Sequence, residues 1–552
     1  MSGLRVAVAG GGLGGLCLAQ GLLKAGVDVT VYERDAQLAG RRQGYRLHVD
    51  ARAGLALEQC LSPGSLAVFQ ATCSEASTRL TVVSERLRVL NEQRRTGSAD
   101  PYAPATLSTS VNRQTLREVL AAGLDGRLVF GCELTGYELT SGQDGPDGVR
   151  LHFAGGRQAE ADLLVGADGV GSAVRRQYLP AAAPNDTGKR CVYGTIPLGP
   201  AEADRLPSAL RDGFTAVIGG QVGMATGVVR FRQRPEQAAP WLSPAGDYLM
   251  WAVAGDGRRF GVADERLTAM SPAELHALTA RLIRSWHPDL RALHARAAVD
   301  ETFLVKIRTS PPVPPWPPSR VTVLGDAIHA MSPARGSGAN TALQDAALLC
   351  RTLTGTAGNG TRTDLAGSGT IRAGSGTARN GGDLIAAIGE YERQMRDYGY
   401  AAVAASPSGR GRDRRAAQPA HVLALPPDDR HARLRPARPP PAGQAPYLPL
   451  TCSTDERTCC IARARAVEFI VGETTSPKLS LSKKAHMATL FDPVPSWTHA
   501  ALPPSAPALT TLAPWNCWVK LLIEAAGSAL ARCPPMNMTI CAVLPAAELP
   551  DS

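Results

Sequence analysis

The chain of 552 residues predicts a mixed α/β fold with more than one domain. Apolar strand-like runs alternate with helical stretches from residue 1 to about residue 353, a glycine-rich turn follows the first run, and three alternating apolar segments lie between residues 190 and 305. A chain of this length exceeds one ordinary hydrophobic core, so we expect two or three domains.

The N-terminal stretch LRVAVAGGGLGGLCLAQGLLKAGVDVTVYER predicts a nucleotide-binding turn between a strand over 4–9 and a helix over 13–25. The glycines stand in G-x-G-x-x-G spacing at Gly10, Gly12 and Gly15. The first permits a tight turn, the second lets the backbone approach a pyrophosphate, and the third lets helix and strand pack closely. A second strand ends at Glu33, an acid placed to accept hydrogen bonds from ribose hydroxyls. Together these pieces predict a Rossmann-like domain, although the motif alone does not separate FAD from NAD.

Two later segments repeat the pattern of a strand followed by an acid. In AEADLLVGADGVGSAVRRQYL a strand over 161–166 precedes Asp168. In RVTVLGDAIHAMSPARGSGANTALQDAALL a strand over 321–324 precedes Asp326, and glycines then lead into a helix. An acid at the carboxyl end of a strand points into the crevice where doubly wound folds bind ligands. A helix cap is the alternative role for Asp326.

In this order the three segments resemble the class A flavoprotein aromatic hydroxylases, the family of the p-hydroxybenzoate and salicylate hydroxylases, over about residues 4–350. The resemblance implies that Asp326 binds the ribityl hydroxyls of FAD. It also implies that the backbone at Gly338 and Ala339 lies beside the isoalloxazine ring. The segment around Asp168 would serve both the FAD pyrophosphate region and NAD(P)H.

The same resemblance implies a set of cationic contacts to the cofactors. Arg113 stands at the head of an amphipathic helix, where family members carry a residue that contacts FAD; a surface arginine is the alternative. Arg34, next to the acid that ends the second strand, is also assigned to the cofactor. Arg41 and Arg42 match a family loop that contacts flavin and NAD(P)H; we assign Arg42, but the doublet leaves the register open.

Composition divides the chain further. We predict a FAD-binding domain in two parts, a mostly antiparallel β-sheet domain for substrate, a flexible Gly/Thr/Ser/Ala-rich insertion and a low-complexity Pro/Arg-rich tail. The ranges are 1–190 and 306–406 for the FAD-binding parts, 191–305 for the sheet, 354–382 for the insertion and 407–552 for the tail. Within DYLMWAVAG, Leu249, Trp251 and Val253 alternate with Met250 and Ala252 on opposite faces of a strand. The resemblance implies a substrate pocket against this sheet that one set would line; an ordinary core face is the alternative for each residue.

Several classes of function are not expected. The formal charge of +10 comes without a Lys/Arg cluster interleaved with aromatic residues, so nucleic acid is not an expected partner. The cysteines before residue 406 lack regular spacing, which argues against a disulfide framework or a metal site there. No signal peptide or membrane-spanning run is evident, and the cytosol is the expected compartment.

The resemblance implies an FAD-dependent monooxygenase that uses NAD(P)H and O2 to hydroxylate a small, aromatic substrate through a flavin C4a-hydroperoxide. No catalytic side chain is assigned, because the cofactor carries the difficult chemistry in such enzymes. The alternatives are an FAD-binding protein without turnover, and a halogenase or reductase on the same fold. A plain NAD dehydrogenase would leave the Asp168 and Asp326 segments unexplained.

Overall fold

The computed structural model describes residues 3–38, 45–94, 100–141, 147–199, 202, 205–355 and 381–406. All of these belong to one unit of the chain, which extends over Met1–Arg430. The predicted tail lies outside the described residues, and so does nearly all of the predicted insertion.

The described elements confirm a mixed α/β fold. The strands are β1 (Arg5–Ala9), β2 (Asp28–Tyr32), β3 (Arg46–Asp50), β4 (Arg79–Ser84), β5 (Val89–Arg94), β6 (Ser108–Asn112), β7 (Leu128–Val129), β8 (Leu134–Thr140), β9 (Gly148–Phe153), β10 (Gln158–Ala161), β11 (Leu163–Gly166), β12 (Asn185–Pro197), β13 (Phe214–Ile218), β14 (Gly223–Val229), β15 (Tyr248–Asp256), β16 (Phe303–Thr309) and β17 (Val321–Val323). The helices are α1 (Leu13–Lys24), α2 (Ala51–Cys60), α3 (Pro63–Thr72), α4 (Arg113–Ala121), α5 (Ala173–Tyr178), α6 (Pro235–Ala238), α7 (Asp264–Thr268), α8 (Pro272–Leu282), α9 (Pro288–Ala295), α10 (Asp326–His329), α11 (Gly338–Thr354) and α12 (Gly381–Ala405).

A five-stranded parallel sheet forms the Rossmann-like part, with the strand order β17-β11-β1-β2-β7. Its central strands are apolar and buried on both faces, as is usual for parallel sheets. Helices α1, α2 and α11 pack against one another, and the core around them is continuous with the sheet. Because the strands run in the same direction, their carboxyl ends meet at one edge of the sheet.

A seven-stranded sheet has the order β16-β12-β15-β14-β13-β4-β5. Its pairs are antiparallel except for β13 and β4, which pair in parallel. One face packs against α7, α8 and α9 and contains Leu249, Trp251 and Val253. Strands β4 and β5 come from residues 79–94, inside the range predicted for the first FAD-binding part. The sheet is therefore assembled from two separate stretches of chain, and the predicted domain ranges stay a prediction.

The last described helix, α12, returns to the parallel sheet. The buried Tyr391 hydroxyl donates a hydrogen bond of 2.9 Å to the carbonyl of Val323. Glu392 accepts hydrogen bonds from Thr322 Oγ1 at 2.8 Å and from the Tyr178 hydroxyl at 3.3 Å. Burial raises the pKa of Glu392 to about 7. No described helix is both long enough and apolar enough to cross a membrane.

Replacing Glu392 with glutamine should make the protein more stable at alkaline pH. Folding raises the pKa of this carboxyl group above its ordinary value of 4.5. The folded protein therefore becomes less stable as the pH rises from the ordinary pKa to the raised one. Near pH 8 the Glu392→Gln variant should gain stability, by at most about 3 kcal/mol, and near pH 5 the gain should be much smaller. Thermal unfolding of both proteins at the two pH values measures the difference.

Glu390→Gln is the matched control, because the Glu390 side chain is partly exposed and ion-paired to Arg393 on the same helix. This variant should show no gain at alkaline pH. Parallel pH profiles for wild type and Glu392→Gln would contradict the assignment of a charged, buried Glu392.

Candidate active site

A cavity of about 1270 Å³ lies at the carboxyl edge of the parallel sheet and continues along the seven-stranded sheet. Small-molecule pockets usually measure about 300–1000 Å³, so this one has room for more than one ligand. It is lined by all of the predicted site residues that the structure describes: Gly10, Gly12, Gly15, Glu33, Arg34, Arg113, Asp168, Asp326, Gly338 and Ala339. Arg41 and Arg42 lie outside the described residues.

The three motif glycines are required for three different reasons. Gly10 has a φ of +109°, a conformation that side chains disfavour. A Cβ atom on Gly15 would lie 2.2 Å from the carbonyl oxygen of Gly10, so helix α1 could not approach the loop as closely. At Gly12 the nearest atom to a Cβ would be 3.9 Å away. Gly12 therefore leaves the helix N-terminus open toward the cavity, where an anionic group can approach.

Glu33 holds the glycine loop in place. Its carboxylate accepts hydrogen bonds from the backbone N–H of Gly11 at 2.9 Å and from the Arg117 guanidinium at 3.0 Å. Arg117 also donates to the carbonyl of Gly11 at 2.8 Å, and both side chains of this ion pair are buried. The sequence analysis missed Arg117. The sequence feature that could have identified Arg117 is its position four residues after Arg113, one turn further along α4.

Only one of the two carboxylate oxygens of Asp168 is hydrogen-bonded within the described part of the fold. Its Oδ2 accepts hydrogen bonds from the backbone N–H groups of Ala173 at 2.6 Å and Val174 at 3.3 Å, at the start of α5. Its Oδ1 is buried and has no hydrogen-bond partner among the described residues. A buried acceptor without a donor costs free energy, so a donor group on a bound ligand fits this position.

Asp326 is the first residue of α10, and its side chain is open to the cavity. The N-cap position is held by Gly325, so Asp326 does not have the capping role considered as its alternative. Protein surrounding the carboxyl on its other sides raises the pKa of Asp326, and the charges of His329 and Arg113 oppose that rise. Burial lowers the pKa of Arg113, and the carboxylate of Asp326 acts in the opposite direction. Arg113 and Asp326 thus face the cavity as groups of opposite charge that stabilise each other.

A buried acid that the sequence analysis did not single out fixes the turn before Asp326. Asp345 accepts hydrogen bonds from the Gly325 N–H at 2.7 Å and the Tyr398 hydroxyl at 2.6 Å, and it bonds His329 Nε2 at 2.6 Å. Burial lowers the pKa of His329, but the charge and hydrogen bond of Asp345 outweigh it and leave the pKa raised. His329 does not line the cavity, which supports a structural role for it. The sequence feature that could have identified Asp345 is its position as an acid within the apolar run ALQDAALL.

Asn340 fixes the start of α11. Its amide donates to the carbonyls of His48 and Gly336, each at 2.9 Å, and accepts from the N–H of Asp50 at 2.9 Å. Strand β3 is thereby tied to the loop that precedes Gly338. The first N–H groups of a helix have no partner within the helix, so α11 offers donors and partial positive charge at this side of the cavity.

The seven-stranded sheet supplies the other side of the cavity. Of the two alternating sets on β15, Met250 and Ala252 line the cavity, and the opposite set packs in the core. Aromatic and cationic side chains, among them Tyr193, Phe214 and Arg46, also face this part. Among the described residues, no group of histidine, cysteine or acidic side chains is arranged to hold a metal ion.

A strand, a glycine loop at a helix N-terminus, and acids after three parallel strands define a dinucleotide-binding flavoprotein fold with an adjoining compartment. Comparison with known proteins gives the same class. The model of a family described as FAD binding domain matches residues 3–189 and 280–365. The chain is 30% identical over 371 residues to the FAD-dependent monooxygenase SAT7 of Stachybotrys chartarum, which covers 63% of this chain and 74% of SAT7.

Two further similarities agree. The dual O-methyltransferase/FAD-dependent monooxygenase elcB of Phaeosphaeria nodorum is 33% identical over 389 residues, which cover 64% of this chain and 40% of elcB. A solved structure from Photorhabdus luminescens, named as an FAD-containing monooxygenase, is 30% identical with a TM-score of 0.57, covering 73% of this chain and 96% of that one. The chain belongs to the FAD-binding family of FAD-dependent monooxygenases. It spans less than half the length of elcB.

The environments of Gly12 and Gly15 predict different effects of adding one methyl group. Gly15→Ala should lower the stability of the apoprotein, because the new Cβ would meet the backbone of Gly10. Gly12→Ala should leave that stability unchanged but weaken FAD binding at least about tenfold, or about 1.4 kcal/mol, because the methyl group occupies space open to the cavity. Thermal unfolding of apoprotein and titration of FAD fluorescence measure the two effects.

Wild-type FAD affinity in Gly12→Ala would show that the pyrophosphate does not approach this loop. Unchanged apoprotein stability in Gly15→Ala would show that helix α1 and the loop are less tightly packed than the structure indicates.

Proposed function

We propose that this protein is a monooxygenase that uses FAD, NAD(P)H and O2 to hydroxylate a small aromatic substrate. One observation carries the proposal: a single cavity joins the glycine loop and its acids to an apolar sheet surface. A dinucleotide and a second, apolar molecule would thus lie in the same cavity. Membership of the monooxygenase family supports the reaction type.

The described residues fit FAD. Gly12 and the N-terminus of α1 would receive the phosphates, and Glu33 would accept from a ribose hydroxyl with the lone pairs that its loop contacts leave. The unpartnered Oδ1 of Asp168 is a further acceptor for the cofactor or for NAD(P)H. Asp326 would accept from the ribityl hydroxyls. When bound, FAD supplies the transfer of electrons and the activation of oxygen.

The protein's own part in the reaction is to position, to shield and to balance charge. Gly338 and Ala339 open α11 beside the cavity, and its N-terminal dipole would stabilise negative charge on a neighbouring ring. Arg113 would do the same through its side chain. The apolar face of the sheet excludes water from the reacting atoms. No side chain is required as a nucleophile.

The charge of the cavity suits polyanionic cofactors. Among the described residues, ten cationic side chains line it against four acids: Arg34, Arg46, Arg79, Arg94, Arg113, Arg117, Arg176, Lys306, Arg308 and Arg335 against Glu33, Glu133, Asp168 and Asp326. Such an excess raises the local concentration of anions such as NAD(P)H. A cytosolic location, where NAD(P)H is available, is part of the proposal.

Anaerobic reduction of the purified protein tests the proposal. The protein should show flavin absorbance, and NADPH or NADH should bleach it faster in the presence of a suitable phenol. Admission of air should restore the absorbance and yield a product heavier by one oxygen atom, detected by mass spectrometry.

Each other outcome has a definite meaning. Flavin that NAD(P)H never bleaches, across a broad panel of phenols, would indicate an FAD-binding protein without turnover. Bleaching and reoxidation that yield only hydrogen peroxide with every phenol would indicate a flavin reductase.

A further inference from the structure

Five of the smallest residues lie side by side on the cavity face of three adjacent strands. Ala252 on β15 pairs with Ala225 on β14, which pairs with Ala216 on β13. In the next row, Ala254 pairs with Gly223. All five line the cavity, and we call this surface the alanine floor.

Larger side chains border the alanine floor at both ends. Tyr193 pairs with Ala252 from β12, and its ring stacks on Phe303 with centroids 5.6 Å apart and planes at 13°. Phe214 lies on β13 at the other end. Neighbouring strands are about 4.8 Å apart, so β12 and β13 are separated by roughly 14 Å. The surface between the borders is wide and is formed by small side chains.

The small residues are confined to the cavity side. The same three strands carry Trp251, Val253, Met224 and Val217 on their other face, where these large side chains form the core with the helices behind. Strands generally favour branched and aromatic residues because such side chains pack well. Short side chains on one face only leave volume that the protein itself does not fill.

Arg46 places a positive charge at the Phe214 end. Its guanidinium carbon lies 5.8 Å from the centroid of the Phe214 ring. A Cβ atom on Gly227 would lie 2.7 Å from Arg46 Cδ, so the glycine lets the arginine lie close against the sheet. Burial raises the pKa of the nearby Tyr248 phenol, and Arg46 is among the groups that oppose the rise. This cation therefore favours the ionised form of a phenol near it.

We propose that the substrate is a flat phenol of two or more fused rings, whose rings lie on the alanine floor and whose acidic oxygen faces Arg46. The reaction of that substrate rests on the proposed function, but its binding does not. A fused-ring system covers the floor between Tyr193 and Phe214 better than a single ring, and apolar contact area sets most of the gain in affinity.

Binding of 2-naphthol and phenol to the FAD-loaded protein, measured by isothermal titration calorimetry, tests the shape requirement. Wild type should bind 2-naphthol at least about tenfold more tightly than phenol. Ala225→Leu should lose most of that preference, because the larger side chain rises from the middle of the floor, while phenol binding changes by less than about threefold. Ala225→Gly is the matched control and should retain the preference. The FAD content and thermal midpoint of each variant are measured in parallel.

A second comparison tests the charge requirement. Wild type should prefer 2-naphthol to 2-methoxynaphthalene, which has no acidic hydrogen, and Arg46→Gln should reduce that preference about tenfold. Arg258→Gln is the control, because Arg258 lies outside the cavity lining and its side chain is 91% exposed. It should bind both compounds as wild type does.

The inference is overturned if wild type shows no fused-ring preference, if Ala225→Leu keeps that preference, if Arg46→Gln acts no differently from Arg258→Gln, or if no fused-ring phenol binds. Failure of the proposed function is a separate result. If fused-ring phenols bind with the expected preferences but neither they nor their close analogues are hydroxylated, the proposed monooxygenase activity is contradicted and the inferred binding surface is still supported. Hydroxylation of single-ring phenols without a preference for larger rings would support the monooxygenase activity and contradict the inferred binding surface.

Discussion

The parallel direction of four strands determines where the candidate cofactor groups lie. Gly10 follows β1, Glu33 follows β2, Asp168 follows β11 shortly after its end, and Asp326 follows β17. Because the strands end at one edge, residues far apart in sequence surround one cavity. The arrangement concentrates acids in a partly buried space, where an unpaired charge is costly. Arg117 compensates Glu33 through a direct ion pair, and the positive charge of Arg113 opposes the rise in the pKa of Asp326.

Local signals were sufficient for the parts of the fold that depend on local geometry. The spacing of Gly10, Gly12 and Gly15 predicted the first strand, turn and helix to within one residue of their observed bounds. Both later strand-and-acid segments also form the expected elements. A turn that requires glycine, or a strand that is apolar throughout, leaves its mark on consecutive residues, so one sequence suffices to find it.

Contacts between distant residues were not predictable in the same way. Nothing in the sequence near Phe214 indicates that it pairs with Leu80, so the recruitment of β4 and β5 to the second sheet was missed. Arg117 and Asp345 are buried ions whose partners lie on other elements. The alternation along β15 was visible, but which set faces the cavity depends on the helices that cover the other face. The role of Arg41 or Arg42 stays a prediction.

The hydrogen bond between Tyr398 and Asp345 has a consequence for the order of events during synthesis. Asp345 holds the turn that presents Asp326, and Tyr398 on α12 occupies the second oxygen of that same carboxylate. We therefore expect the turn to reach its final form only after residue 398 has left the ribosome, long after the glycine loop is complete. A nascent chain would therefore form the glycine loop early and the turn that presents Asp326 late, so the cavity would have both in place only after residue 398 has been made.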